Sequence, residues 1–264
     1  MDEVCPVTVP SIEQEAARDL VRSREDCRGD LMRAWHRLSK LLLRHRIVYY
    51  GGNAWTGVHD GWLCRQRLES PAAQLALESD YETVQAVTLR RHRLDVAIAE
   101  LAADSRYTPI VRRLGCLRGI STLTAFGLAV EIGDWTRFTG ASIGPFVGLV
   151  PSENSSGQSR HQGPITKTGN SHARRLLVEA AWHHQRPYRI GKTMLDRWQL
   201  ASPIAQARGD AGNRRLHRQW MKFIARKKRH PVANVAIARE LAGWCWSLAT
   251  LDDVGDLGDR PMTG

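Results

Sequence analysis

Two adjacent serines in front of a glycine, Ser155, Ser156 and Gly157, lie in the stretch Gly148 to Ala181, GLVPSENSSGQSRHQGPITKTGNSHARRLLVEAA. A glycine at that point lets the backbone turn sharply and leaves room for a bulky phosphodiester to approach a hydroxyl. The basic groups that follow, Arg160, His161, Lys167, His172, Arg174 and Arg175, suit a polyanion. Asn170 or Ser171 is placed to cap the ensuing helix, whose N-terminal amides favour a phosphate. The chemistry these residues could support is a serine acting on, or gripping, a nucleic-acid backbone. The same composition also describes an ordinary solvated loop.

Charge points the same way. Lysine and arginine outnumber aspartate and glutamate by 38 to 27 in 264 residues, a net charge of +11. That balance favours a nucleic-acid partner through counterion release, although an anionic membrane surface would attract it too. No apolar run approaches the ~20 residues a membrane span needs, and the N-terminal MDEVCPVTVPS is neither a signal peptide nor an arginine-rich transit peptide. We therefore expect a soluble, cytoplasmic protein with no membrane role. The five cysteines, Cys5, Cys27, Cys64, Cys116 and Cys245, contain no CxxC pair, which argues against a disulfide framework or a zinc ribbon.

The elements that must position the serine segment are mostly helical. Ser11 and Gln14 make a capping-box-like start to a long helix reaching toward Ile47, with Leu31, Ala34, Trp35, Leu38, Leu41 and Leu42 at helical spacing. Gly51, Gly52, Gly57 and Gly61 then mark a turn. A second helix runs from about Pro71 to Ala103 with Leu75, Val84, Val87, Leu94, Ile98 and Leu101 as its apolar positions. Together these predict an antiparallel, coiled-coil-like hairpin over residues 11–108, within one chain or between protomers. Residues 1–10 read as a linker, 109–252 as a mostly helical second domain, and 253–264 as a disordered tail. The fold class expected is mainly α.

Within the second domain, Leu114, Leu117, Gly119, Ile120, Ala125 and Leu128 follow the spacing of a helix-hairpin-helix, whose tight turn offers backbone amides to a DNA phosphate. Arg118, Gly119 and Ser121 are the turn residues, with Ser121 where a second glycine is usual. A helix-turn-helix that only packs would have the same pattern. The acid-free tract Asn213 to His230 sets Trp220 and Phe223 among Lys222, Arg226, Lys227, Lys228 and Arg229, which suits either a phosphate-binding face or a solvated one. His172, His183 and His184 do not converge with any carboxylate or cysteine, so no metal site is expected there.

The tracts LGCLRGISTLTAFGLAVEIGDWTRF and GLVPSENSSGQSRHQGPITKTGNSHARRLLVEAAWHH, followed by the basic tract and a final apolar helix, resemble the transposases of the insertion-sequence 110/116/902 family. The resemblance implies a DNA transposase in which a serine attacks a phosphodiester and becomes linked to a strand end. Ser156 matches that nucleophile, with Ser155 as the fallback. It further implies an N-terminal RuvC-like domain holding magnesium, a structured non-coding guide RNA, and dimers or tetramers joined through the coiled coil. This sequence starts at about the point where a RuvC-like domain should end. The expectation is an N-terminally truncated transposase with no cofactor of its own, inactive alone; a non-catalytic nucleic-acid-binding module is the alternative.

Overall fold

The computed structural model describes residues 9–153 and 162–251, and its regular elements are mainly α-helical. They run α1 Ile12–Arg44, α2 Gly57–Leu63, α3 Pro71–Ala103, α4 Thr108–Leu114, α5 Thr122–Ile132 and α6 Ile143–Phe146. Strands β1 Pro151–Glu153 and β2 Gln162–Ile165 follow, then α7 Ser171–Ala181, a 3-10 turn Trp182–Gln185, α8 Lys192–Trp198, α9 Pro203–Ala225 and α10 His230–Ala249. Ser155, Ser156, Arg160, His161 and the 253–264 tail lie outside the described residues. The chain divides into two units, one of Asp19–Ala97 and one of Met1–Arg18 with Ile98–Gly264. Both borders fall inside the long helices α1 and α3.

In the unit Asp19–Ala97, α1 and α3 pair antiparallel. Arg24 Nε meets Asp95 Oδ1 at 2.7 Å and Arg37 Nε meets Asp80 Oδ1 at 3.7 Å, so the partner number falls as the helix number rises. Along the same seam lies one apolar core that includes Leu31, Ala34, Leu38, Leu41 and Leu42 from α1 with Leu77, Val84 and Val87 from α3. Burying a leucine of this kind contributes roughly 1.5–3 kcal/mol against the entropy of ordering the helices. The stripe expected on α1 is the one observed. On α3 the register differs at its start, because Leu75 is 68% exposed and Leu77 takes the buried place. The segment expected as a plain glycine-rich turn holds α2, capped by Thr56, whose Oγ1 accepts the His59 N–H at 3.3 Å. Its aromatic residues close the hairpin end: Trp55 stacks on Trp35 with ring centroids 4.8 Å apart, and His59 is buried among Trp55, Trp62 and Tyr49.

The other unit begins with the first turns of α1. Ser11 Oγ accepts the Gln14 N–H at 3.2 Å, as a capping residue should. The reciprocal half of the capping box is replaced by a tertiary bond, since Gln14 Nε2 donates to the Val130 carbonyl at 3.0 Å. Helix α5 is apolar nearly all round and buried from Ala125 to Ile132. Packing of α5 on α4 and α7, and of α10 on α4, α6, α7 and α9, builds a helical core in which Leu114, Leu117, Ile120, Trp220, Ile237 and Leu241 are fully buried.

Candidate nucleic-acid interface

The described residues on either side of the serines, expected from composition to belong to one loop, pair as two short antiparallel strands. Pro151 pairs with Ile165 and Glu153 with Gln162, with an irregularity in register between them. Strands of three and four residues containing Pro151, Gly163 and Pro164 lack the alternation that marks a strand in sequence, which is why the pairing was not legible there. The residues that join β1 to β2, including Ser155, Ser156 and Arg160, lie outside the described residues.

The two limbs of this hairpin are fixed at their base. Arg174 on α7 donates from Nη1 to the Val147 carbonyl at 3.0 Å, ahead of β1, and to the Thr168 carbonyl at 2.8 Å, behind β2. Gly169 has φ +70°, and a Cβ there would sit 1.9 Å from the Phe146 carbonyl oxygen, so only glycine admits this approach. Of the two capping candidates the structure selects Asn170: its Oδ1 accepts the Ala173 N–H at 2.9 Å and opens α7. The Asn170 Nδ2 donates to Glu131 Oε2 at 2.7 Å, and His172 Nδ1 meets Glu131 Oε1 at 2.9 Å. Glu131, 1% exposed, thus holds the start of α7 against the end of α5.

The remaining expected residues fall in distinct settings. Lys167 is exposed on the return from β2 with φ +57°. Arg175 is paired with Glu179 at 2.8 Å one turn along α7. Lys222, Arg226, Lys227, Lys228 and Arg229 are all exposed around the α9–α10 turn, and none makes a salt bridge among the described residues. Lys227 takes φ +53° to make that turn, and Lys228 Nζ lies 5.3 Å from the centre of the Phe223 ring. Further back on α9, Arg214 and Arg215 are paired with Asp210 and Glu240 at 2.7 and 2.6 Å.

The α4–α5 turn is pinned from behind. Asn213 of α9, fully buried, accepts the Arg118 N–H on Oδ1 at 2.8 Å and donates from Nδ2 to the Cys116 carbonyl at 3.0 Å. Trp198 Nε1 donates to the same carbonyl at 3.2 Å. Burial pushes the Cys116 thiol up to about 12, so it is inert. Gly119, at φ +84°, sits so close to α7 that a Cβ would lie 2.4 Å from the Ala180 carbonyl oxygen. Ser121 caps α5 by accepting the Thr124 N–H at 3.2 Å. Arg118 Nη1 donates to the Arg186 and Pro187 carbonyls, both at 2.8 Å. Desolvation, and then the charge of Arg186, lower the Arg118 pKa. This brings the turn against His183 and against three residues that sequence reading passed over: Arg189, Lys192 and Arg197 line a cleft of about 490 Å³ with His183, Arg118, Gly119 and Ser121. Arg189 and Lys192 flank Gly191 in a segment with no motif, and only the fold carries them to the turn.

Among the described residues no group of three or more His, Cys, Asp or Glu side chains could hold a metal ion. No described helix is long and apolar enough to cross a membrane.

Comparison with known proteins places residues 111–194 on the family model described as Transposase IS116/IS110/IS902 family. The matched stretch contains the α4–α5 turn, the hairpin, the serines and α7. Over 248 residues the chain is 36% identical to a putative transposase, y4qE, of Sinorhizobium fredii, covering 94% of this chain and 60% of that protein. It is 30% identical over 226 residues to the transposase for insertion sequence element IS1533 of Leptospira borgpetersenii, covering 83% of this chain and 64% of that one. A third relative, the transposase for insertion sequence element IS1111A of Coxiella burnetii, is 27% identical over 152 residues, 57% of this chain and 36% of the relative. The chain thus spans less than two thirds of the length of these relatives.

Proposed function

We infer that this chain, which matches the IS116/IS110/IS902 transposase family model over residues 111–194 and is similar to transposases over most of its length, belongs to that family and acts on DNA in transposition. The observation that carries the reading is the coincidence of the matched segment with a β-hairpin whose base is locked by Arg174 and Gly169 and whose connecting residues include Ser155 and Ser156. Ser156, with Ser155 as the fallback, attacks a DNA phosphorus through Oγ. The Oγ–P bond forms as the bond from phosphorus to one deoxyribose oxygen breaks, and that oxygen leaves carrying a proton. The phosphoserine ester conserves the energy of the broken linkage, so a second strand end rejoins without a nucleotide cofactor.

Lys222, Arg226, Lys227, Lys228 and Arg229 supply sequence-independent phosphate contacts, which position a duplex without reading it. In this reading a structured guide RNA selects the DNA, and copies of the chain join through α1 and α3 as a homo-oligomer. The exposed basic turn also favours a second reading, a nucleic-acid-binding module that is indifferent to Ser156.

The test incubates the purified chain with element-end DNA and magnesium and resolves the products under denaturing conditions. A protein–DNA adduct that persists in Ser155→Ala and disappears in Ser156→Ala supports the serine reading. An adduct surviving both substitutions together overturns it. DNA binding with no adduct favours the second reading.

A further inference from the structure

The cleft between the α4–α5 turn, α7 and α8 is the strongest charged concavity that the proposed chemistry leaves unused. Its walls carry Arg118, Arg189, Lys192 and Arg197, four permanent cations, against one carboxylate, Glu179, which is committed to Arg175 at 2.8 Å. Two of the cations are held in place by backbone carbonyls. Arg118 Nη1 is bonded to Arg186 and Pro187, and Arg197 Nε donates to the Gly115 carbonyl at 3.3 Å, which leaves other guanidinium N–H groups of both uncommitted. Arg189 and Lys192 are exposed and make no hydrogen bond or ion pair among the described residues. Hydroxyls of Ser121, Thr124 and Thr193 line the same space.

Like charges gathered in a concavity repel one another. Arg118 and Arg186 hold the neighbouring His183 below its usual range, after desolvation, which is the larger cause. Such a site is stabilised by an anion that several donors contact at once, and planar guanidinium groups with flanking hydroxyls match a tetrahedral phosphate. The cleft is also built before its ligand arrives. The Arg118 bonds to the Arg186 and Pro187 carbonyls tie the segment leading to Arg189 and Lys192 to the turn, and Asn213 fixes the turn itself, so little ordering remains to oppose binding.

We infer that this cleft is a phosphate-binding site, in which Arg189 and Lys192 close over a nucleic-acid phosphate seated against Arg118, Arg197 and the hydroxyls of Ser121 and Thr193. The assignment rests on the nucleic-acid reading above and goes beyond it. It places the contact on side chains of the Tyr188–Lys192 segment rather than on the backbone amides of the α4–α5 turn, whose glycine faces Ala180. At about 490 Å³ the cleft is far larger than the roughly 30 Å³ share of one water. It therefore has room for the phosphate together with part of its flanking sugar.

The experiment uses the full chain and three probes, namely inorganic phosphate, a short duplex DNA and an RNA hairpin with the same number of phosphates. Amide resonances are followed by NMR during the phosphate titration, and nucleic-acid affinity is measured against salt. Saturable shifts at Gly119, Lys192 and Thr193 are expected. Arg189→Ala combined with Lys192→Ala should weaken phosphate binding by about tenfold and lower the salt slope on duplex DNA by about 0.9 for one phosphate lost. Both side chains are exposed, so an unchanged melting temperature verifies the fold, and Lys192→Arg should retain affinity. Loss confined to the RNA arm assigns the site to RNA, loss confined to the DNA arm assigns it to DNA, and equal loss assigns it to either backbone. Nucleic-acid affinity and slope unchanged in the double variant, or phosphate shifts elsewhere, overturn the cleft. Phosphate bound in the cleft with no nucleic-acid binding at all upholds the site and overturns the reading it rests on.

Discussion

Asn170 joins two elements through one side chain: its Oδ1 caps α7 on the Ala173 N–H at 2.9 Å while its Nδ2 donates to the buried carboxylate of Glu131 on α5 at 2.7 Å. His172 completes the arrangement on the other carboxylate oxygen at 2.9 Å. Removing the carboxylate leaves two polar partners in a site that water barely reaches. Glu131→Ala should therefore destabilise the unit by about 3 kcal/mol, the scale of a broken buried pair. Glu131→Gln, which keeps one acceptor, should cost less. Urea denaturation followed by circular dichroism measures both, and equal stabilities of the two variants would refute the bridging role.

His184, 1% exposed and hydrogen-bonded to the Arg118 backbone, is held down to about 3, first by burial and then by the charge of Arg118. The native protein keeps this ring neutral, whereas the unfolded chain protonates it near 6.5. Its contribution is thus fully present above pH 6.5 and is lost as pH falls from there toward 3. The loss runs at about 1.4 kcal/mol per pH unit. Between pH 7.5 and 5 the urea midpoint should fall more steeply for the native chain than for His184→Leu. His59 and His183, both shifted in the same direction by burial first, add to the slope in either protein.

Leu38 and Leu75 separate core from surface within the α1–α3 hairpin. Leu38 is fully buried and Leu75 is 68% exposed, although both occupy apolar positions in helical patterns. Leu38→Ala should cost roughly 2–5 kcal/mol through lost transfer energy and the cavity left behind. Leu75→Ala should lie within about 0.5 kcal/mol of the parent. Thermal melts of the two variants check the register, and comparable losses would mean that the hairpin is packed otherwise.

The α9–α10 turn predicts a salt dependence. Replacing Lys227 and Arg229 with alanine should lower the slope of log affinity against log salt on duplex DNA by about 0.9 for each phosphate contact removed. The apolar underside of Trp220 and Phe223 is untouched, so the fold should hold. A slope that stays constant in a folded variant would take the turn out of the interface.

Much of the architecture was legible in the sequence because helices advertise themselves locally. The repeat of Leu31, Ala34, Leu38, Leu41 and Leu42 foretold the buried face of α1, and Ser11 foretold its start. The β-hairpin was not legible, since its strands are too short and too rich in glycine and proline to show alternation. Nor was the change of role at Gln14, whose side chain turns from the expected cap to a carbonyl on α5.

By itself the sequence determined that the chain is basic, mainly helical, and furnished with serines beside a glycine in a family-matching segment. Only the tertiary structure decided which of the cations are committed and which are available. Arg118 and Arg174 read as phosphate ligands from their neighbours. In the fold their Nη1 atoms serve carbonyls 68 and 27 residues away, whereas Arg189 and Lys192 stand beside the turn without partners among the described residues. The physical reason is one of range. Helical periodicity is set by contacts three and four residues apart, but the fate of a long basic side chain is set by whichever buried carbonyl the folded chain brings within about 3 Å.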